Sequence, residues 1–165
     1  MTDLDLEVNK KFLIVKYARL LNHLDKVCVN CRKIALKLIE EGNFDLAHEL
    51  IILGQQHDIS KFYGSEWKYL CEYDLHMDNP EKLVAIKEHV ENNSHHPEFY
   101  NTIHDMPDSA IAEMVADWAA RGEEFNKPIR QFLEEKAFKK YNFDETSDIF
   151  KKMNYYYKLL TGENI

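Results

Sequence analysis

Residues 56–62 read Gln56-His57-Asp58-Ile59-Ser60-Lys61-Phe62. They follow an apolar segment, Leu50-Ile51-Ile52-Leu53, so His57 and Asp58 fall where a predicted helix runs out. Successive residues inside a regular helix point about 100° apart, whereas the backbone at a helix end can bend so that both side chains converge. An imidazole beside a carboxylate is a ligand pair suited to Zn, Mn or Fe. The segment therefore indicates a metal site at a helix end.

Length and composition favour one folded domain spanning residues 1–165. The chain is 45% hydrophobic and 30% charged, as in ordinary globular proteins. A domain of this length buries a sizeable core without disulfides or a structural metal. It contains only 5 Gly and 4 Pro, so helix breakers are sparse and long helices are expected.

The charge balance limits the partners that the chain is expected to bind. The formal net charge is -8, which disfavours duplex nucleic acid because phosphates need a basic surface. A small anionic substrate remains compatible, since a divalent metal dominates the field around it. No apolar run approaches the roughly 18 residues of a membrane span, and the N-terminus lacks the apolar region of a signal peptide. Three cysteines without a framework pattern fit a reducing compartment, so we expect a cytoplasmic protein with no membrane partner.

Apolar residues recur at three- and four-residue steps, and no stretch alternates with period two. The expected fold is an all-α single-domain bundle of six or seven helices. Gly42, Gly122 and Gly162 are expected to end helices, and Asn43 is expected to cap one. The predicted helices cover approximately residues 6–41, 44–57, 65–76, 81–92, 108–122, 127–140 and 145–160.

Further metal-ligating side chains lie on other predicted helices and in one loop. His23 is central in the first helix, His89 is in the fourth, and Asp117 lies beside the apolar stripe of the fifth. His95 and His96 precede Pro97, which keeps them out of a helix. Each of these residues alone is more simply a packed histidine or a helix-surface carboxylate. Their joint occurrence in an all-helical chain predicts that they share one site.

The order His23, then His57-Asp58, then Asp117 resembles that of the HD superfamily of metal-dependent phosphohydrolases. His57-Asp58-Ile59-Ser60-Lys61 is close to the HD-x-G-K version of its central motif, with Ser60 where Gly is common. The resemblance covers roughly residues 15–120. The arrangement His-His-Pro-Glu at residues 95–98 is also similar to short, uncharacterised HD-like proteins from phages and bacteria.

The resemblance implies a divalent transition metal, Mn, Fe, Co, Ni or Zn, present as one or two ions. The first ion would be ligated by His23, His57, Asp58 and Asp117. Asp58 would bridge to a second ion when one is bound, and His89 with His95 or His96 would supply its histidines. The G-Y-P signature of cyclic-dinucleotide phosphodiesterases is absent, so that substrate is not expected.

Several other residues are candidates for catalysis or substrate binding. Such a metal lowers the pKa of a bound water and neutralises charge on a phosphoryl oxygen. Lys61 would bind phosphate, unless it is a solvated surface residue, and Glu66 and Glu98 would transfer a proton or orient a ligand imidazole. Three aromatic residues are either part of the core or the border of a nucleobase pocket: Trp67, Tyr69 and Tyr73.

These expectations lead to three functional hypotheses. The first is a metal-dependent phosphohydrolase that acts on a small phosphate ester, with nucleotides among the candidates. The second is an HD-type di-iron oxygenase. The third is a non-catalytic helical protein-binding module with a structural metal site. Since Tyr155, Tyr156 and Tyr157 cannot all face one core, a homo-oligomer is an alternative to simple packing at the C-terminal helix. Core packing is expected for Cys28 and Cys31, which share one side of the first helix.

Overall fold

The computed structural model describes residues 3–72 and 80–165, with side chains described for residues 10–69 and 80–165. Within these ranges it contains seven helices and no strand, so the prediction of an all-α bundle is confirmed. The first four helices are α1 (Asp3–Glu40), α2 (Phe44–Gln56), α3 (Gly64–Glu66, continued as a π-helix over Trp67–Glu72) and α4 (Pro80–Asn92). They are followed by α5 (Asp108–Phe125), α6 (Ile129–Phe132, Leu133–Ala137 and Phe138–Tyr141, with a π-helical middle) and α7 (Asp148–Thr161). Short 3-10 turns cover Ile59–Phe62, Pro97–Phe99 and Ile103–Asp105.

Helix α5 lies at the centre of the bundle. Every residue from 109 to 117 is buried, including the carboxylates of Glu113 and Asp117. A helix that is buried all round must be covered by neighbours on each side, and α1, α2 and α7 pack against it. Glu113 and Asp117 are four residues apart, so they project from the same face of α5 into the interior.

The close approach of α1 and α2 depends on a glycine. A Cβ atom added to Gly54 would lie 2.6 Å from the Cβ atom of Cys31, which is fully buried. Cys31 therefore packs in the core, as expected, and its pKa is raised because burial disfavours the thiolate. Since α2 ends two residues after Gly54, this contact also positions the start of the His57-Asp58 segment.

Some predicted helix ends were wrong. Helix α5 passes through Gly122 and ends at Phe125, with Asn126 in the left-handed region at φ 52°. Gly122 is required inside the helix because an added Cβ atom would meet the carbonyl oxygen of Lys127 at 2.6 Å. Asn43 occupies the cap position of α2, but its side chain makes no capping hydrogen bond. The part of the third predicted helix at residues 73–79 lies outside the described residues.

In the described part of the chain, none of the helices combines the length and the apolar character that a membrane crossing requires.

Candidate metal centre

The backbone turns sharply between His57 and Asp58. Helix α2 ends at Gln56, His57 leaves it at φ -48° and ψ 126°, and Asp58 adopts the left-handed conformation at φ 53° and ψ 21°. A non-glycine residue in this conformation costs about 1 kcal/mol or more, and such residues cluster at functional sites. The turn brings both side chains to one interior point, where Nε2 of His57 lies 3.5 Å from Oδ2 of Asp58.

Helices α1 and α5 bring their ligands to the same point. Nε2 of His23 lies 3.0 Å from Oδ1 of Asp117, and Nε2 of His57 lies 3.9 Å from that oxygen. The ligand atoms of His23, His57 and Asp58 lie within 4.8 Å of one another, and so do those of His57, His95 and Asp117. Ligands bound to one transition metal at about 2.1 Å are separated by about 3.0 to 4.2 Å. We refer to His23, His57, Asp58 and Asp117 as the first ligand group.

A second set of imidazoles surrounds the other oxygen of Asp58. Oδ1 of Asp58 lies 3.2 Å from Nε2 of His89 and 3.4 Å from Nε2 of His95. Nε2 of His96 lies 3.0 Å from Nε2 of His89. Both His95 and His96 therefore face inward, and we call Asp58, His89, His95 and His96 the second ligand group. Asp58 belongs to both groups and points one carboxylate oxygen towards each.

Five of the candidate ligand atoms at this site are buried without hydrogen bonds. Within the described ranges, Nε2 of His23, His57 and His95 has no hydrogen-bond partner, and the same holds for Oδ1 of Asp58 and Asp117. Nε2 of His23 and Oδ1 of Asp117 are only 3.0 Å apart, and because Nδ1 of His23 donates to Glu124, a neutral His23 turns a lone pair towards that oxygen. Burying unpaired polar atoms costs on the order of 1–3 kcal/mol each. Nitrogen and carboxylate donors that converge in this way fit a divalent transition metal, which would satisfy them together.

Carboxylates, of which Glu66 and Glu113 are buried, contact the remote nitrogens of the imidazoles. Nδ1 of His57 donates to Oε1 of Glu113 at 2.9 Å, and Nδ1 of His95 lies 3.5 Å from the same oxygen. Nδ1 of His23 donates to Glu124 at 3.0 Å, and Nδ1 of His89 donates to Glu66 at 2.7 Å. This arrangement leaves Nε2 for the metal and is the usual orientation of metal-ligating histidines in proteins.

The sequence predicts a role at the site for Glu66 but not for Glu113 or Glu124. Glu66 also accepts a hydrogen bond from Ser60 at 2.9 Å, so it joins the motif segment to His89. The signal that could have found Glu113 is its position one helical turn before Asp117, inside an apolar stripe. Glu98 contacts Lys140 and Tyr141, and its charge also acts on His96, so its role in proton transfer or in orienting an imidazole stays a prediction.

Most of the titratable ligands favour the protonation states that metal binding requires. Burial alone would raise the pKa of Asp58, but contact with His89 and the charge of Lys61 lower it well below its usual range. Burial opposes ionisation of Asp117 too, yet contact with His23 and the charge of His57 lower its pKa. Burial lowers the pKa of His95 to about 2 and that of His96 to about 4, assisted by neighbouring imidazoles. Ionised carboxylates and neutral imidazoles are the metal-binding forms.

His57 shifts in the other direction. Burial would lower its pKa, but the hydrogen bond to Glu113 and the charge of Asp58 raise it above its ordinary value. A proton on Nε2 of His57 would therefore compete with a metal ion.

A cleft of about 760 Å³ is lined by residues that contact the ligand groups, although none of the ligands themselves lines it. Lys61, which contacts Asp58, and Glu124, which contacts His23, both line it. Trp67 lines the cleft beside Tyr17, with the two ring centroids 4.9 Å apart. The other charged residues that line the cleft are one carboxylate, Glu123, and four cations, Lys16, Arg19, Lys26 and Arg121, of which Lys16 has its ammonium buried.

Two predicted aromatic residues are not placed in this cleft. Tyr69 is not among its lining residues, and the ammonium of Lys68 lies 5.0 Å from the centroid of its ring. Tyr73 lies outside the described residues. Of the three aromatics proposed from the sequence, Trp67 is the one that the structure places at the cleft.

The fold and the site define an all-helical protein with a buried histidine and carboxylate cluster that could hold a metal ion. The chain belongs to a family of unknown function (DUF5662), whose model matches residues 15–155. No curated protein and no solved structure matches the chain.

Proposed function

We propose that this protein is a metal-dependent phosphohydrolase of the HD type that acts on a small phosphate ester. The supporting observation is that two ligand groups share Asp58, and that Lys61, which contacts Asp58, lines a neighbouring cleft. A divalent cation held there would lower the pKa of a water nucleophile and neutralise developing charge on a phosphoryl oxygen. The first group would hold one ion, and the second group would hold another.

The chain's own residues would bind and orient the phosphoryl group. Lys61 contacts Asp58 and lines the cleft, and the guanidinium of Arg121 lies 4.0 Å from Oδ1 of Asp117. These two cations approach the ligand groups from different elements, which suits them to the equatorial oxygens of one phosphoryl group. The rings of Trp67 and Tyr17 would border the organic part of the ester, and a nucleobase is one group that would fit against them.

The proposal is tested by metal analysis and phosphate release in wild type and in Asp58→Asn. Wild type reconstituted with Mn, Fe, Co, Ni or Zn should hold one or two ions per chain and release phosphate from p-nitrophenyl phosphate. Asp58→Asn should lose both properties and keep its helical circular dichroism, while Asp25→Asn, an exposed α1 control, should lose neither. A wild-type protein that holds metal but hydrolyses no phosphate ester would refute the phosphohydrolase.

A di-iron oxygenase is the second candidate because the second ligand group contains three imidazoles and one carboxylate. Nitrogen-rich sites of this kind suit iron as well as zinc. An iron-loaded protein would then show an iron-dependent absorption band and consume dioxygen. An iron-loaded sample without either property would remove this alternative.

A further inference from the structure

The solvent face of α1 carries exposed apolar side chains along most of its length. Five of them are between 39% and 67% exposed and together form what we call the α1 stripe: Ile14, Leu21, Val29, Leu36 and Ile39. At 100° per residue these positions fall within an arc of about 80° on one side of the helix. The solvent face of a helix in a globular protein is ordinarily polar, so the fold of one chain does not account for the stripe.

Two exposed charged residues lie within the same stripe, Asp25 and Arg32. They are seven residues apart, which is two helical turns or about 10 Å along the axis. Neither has an ion-pair or hydrogen-bond partner among the side chains that the structure describes. Opposite charges on an otherwise apolar surface are suited to fixing the orientation of a partner.

The charges of the stripe are complementary to those of a second, antiparallel copy. A two-fold axis that passes between residues 28 and 29 brings Asp25 of each copy opposite Arg32 of the other. A parallel arrangement would instead place Asp25 beside Asp25 and Arg32 beside Arg32, and like charges at an interface repel. The charge pattern therefore selects the antiparallel orientation.

The apolar residues match about the same axis. Leu21 of one copy comes opposite Leu36 of the other, and the small Ala18 comes opposite Ile39. An interface between two identical subunits related by a two-fold axis requires this reciprocity, because each contact must occur twice. The α1 stripe meets that requirement in both its charged and its apolar positions.

We propose that this protein forms a homodimer in which the solvent faces of two antiparallel α1 helices pack together and Asp25 pairs with Arg32 of the second copy. The apolar residues supply the surface removed from water, and the two ion pairs set the register. His23 lies two residues before Asp25 and so points to the opposite side of α1, into the first ligand group. The dimer therefore leaves the ligand groups unchanged and does not depend on the proposed phosphohydrolase.

Sedimentation equilibrium of the full-length protein tests the dimer. Wild type should give twice the mass of one chain, and Asp25→Arg or Arg32→Asp should weaken association at least tenfold by placing like charges beside the axis. Both side chains are exposed, so both variants should keep their helical circular dichroism. The control Glu91→Arg makes the same charge change as Asp25→Arg on the exposed face of α4 and should associate as wild type does. A monomeric wild type, a dimer that resists both substitutions, or an equal loss in the control would each overturn the proposal.

Mixing the two variants tests the pairing itself. In a mixed dimer the two cations of the Asp25→Arg chain face the two carboxylates of the Arg32→Asp chain, so an equimolar mixture should recover the association of wild type. The double variant Asp25→Arg/Arg32→Asp restores both pairs with their signs exchanged and should also dimerise. An antiparallel contact predicts both recoveries, whereas a mixture and a double variant that stay monomeric would refute it.

Discussion

Nε2 of His23 on α1 lies 3.0 Å from Oδ1 of Asp117 on α5, and no hydrogen bond joins the two atoms. Both atoms are buried, and both point towards the space that Nε2 of His57 also faces. A histidine and a carboxylate that served only to stabilise the bundle would align as donor and acceptor. A close approach without a hydrogen bond is what two ligands of one cation show, because their lone pairs converge on a third point.

Glu113 should control metal affinity without being a ligand. Its carboxylate holds Nδ1 of His57 and lies near Nδ1 of His95, so Glu113→Gln weakens the orientation of two ligands in different groups. Loss of such a partner typically reduces metal affinity 10- to 100-fold. Competition with a fluorescent chelator measures the change. The control is Glu49→Gln, which alters a carboxylate bonded to Ser109 rather than to an imidazole, and it should leave the affinity unchanged. Equal affinities in Glu113→Gln and wild type would show that Glu113 is only part of the core.

Metal removal should destabilise the protein. Without a cation, the unpaired donor atoms of His23, His57, His95, Asp58 and Asp117 remain buried in the folded state. A ligand that binds only the folded state stabilises it by about 2.7 kcal/mol at 100 times its Kd. Thermal melts before and after chelation should therefore show a lower Tm for the stripped protein, restored by adding the metal. In Asp58→Asn the same additions should leave Tm unchanged.

The general features of the site followed from sequence because their causes are local. The end of the apolar run at Leu53 predicts that His57 and Asp58 stand at a helix end. In the structure α2 ends at Gln56, one residue before His57. The left-handed conformation of Asp58 was not predictable in the same way. It is unfavourable for that residue in isolation, and only the surrounding tertiary structure maintains it.

Features that depend on tertiary neighbours were missed. Glu113 and Glu124 resemble surface acids until α5 is known to lie at the centre of the bundle. The sequence predicts a helix end at Gly122 because glycine commonly follows the last helical turn, but the approach of the Lys127 carbonyl requires this glycine inside α5. Both errors arise from contacts that no local pattern encodes.

The metal-free protein should lose stability as the pH falls from 7 to 5, partly through His96. Burial and the charge of His89 lower the folded-state pKa of His96 to about 4, against about 6.5 in the unfolded chain. The unfolded state therefore binds more protons than the folded state between pH 4 and pH 6.5. The contribution of His96 to the free energy of unfolding is complete above pH 6.5 and is lost as the pH falls towards 4. For this shift the loss at pH 5 is about 2 kcal/mol.

Urea unfolding of the chelated protein at pH 5, 6 and 7 measures this slope. His96→Gln should reduce it, because the uncharged side chain has no proton to bind. His57, whose pKa is raised, contributes to the pH dependence in the opposite direction. The effect of His96 is therefore the difference in slope between wild type and His96→Gln. An identical slope in His96→Gln would mean that His96 titrates alike in the folded and unfolded chains.

Lys61 should affect turnover by the proposed phosphohydrolase more than metal content. Its ammonium contacts Asp58 and lines the cleft, whereas Lys68 is exposed and does not line it. Removing one charge-stabilising donor from an active site typically reduces kcat by about 10²–10³. Lys61→Met should show such a loss with metal content retained, and Lys68→Met should behave as wild type. A turnover rate in Lys61→Met equal to that of wild type would show that Lys61 has only a structural role.

Gly54 should not tolerate alanine, although alanine is the better helix former. Inside an exposed helix the change from glycine to alanine gains about 1 kcal/mol. Here the new methyl group would lie 2.6 Å from Cβ of the buried Cys31, so α1 and α2 would have to separate. Overpacking of this kind costs about 1–3 kcal/mol, so after the helix gain is subtracted we expect Gly54→Ala to lower the free energy of unfolding by up to about 2 kcal/mol. Urea unfolding measures it, and Cys31→Gly in the same chain should recover part of the loss by removing the clashing atom.

Gly54→Ala should also weaken metal binding, because α2 ends just before His57. A Gly54→Ala protein with higher stability and unchanged metal affinity would show that α1 and α2 are less closely packed than the structure indicates.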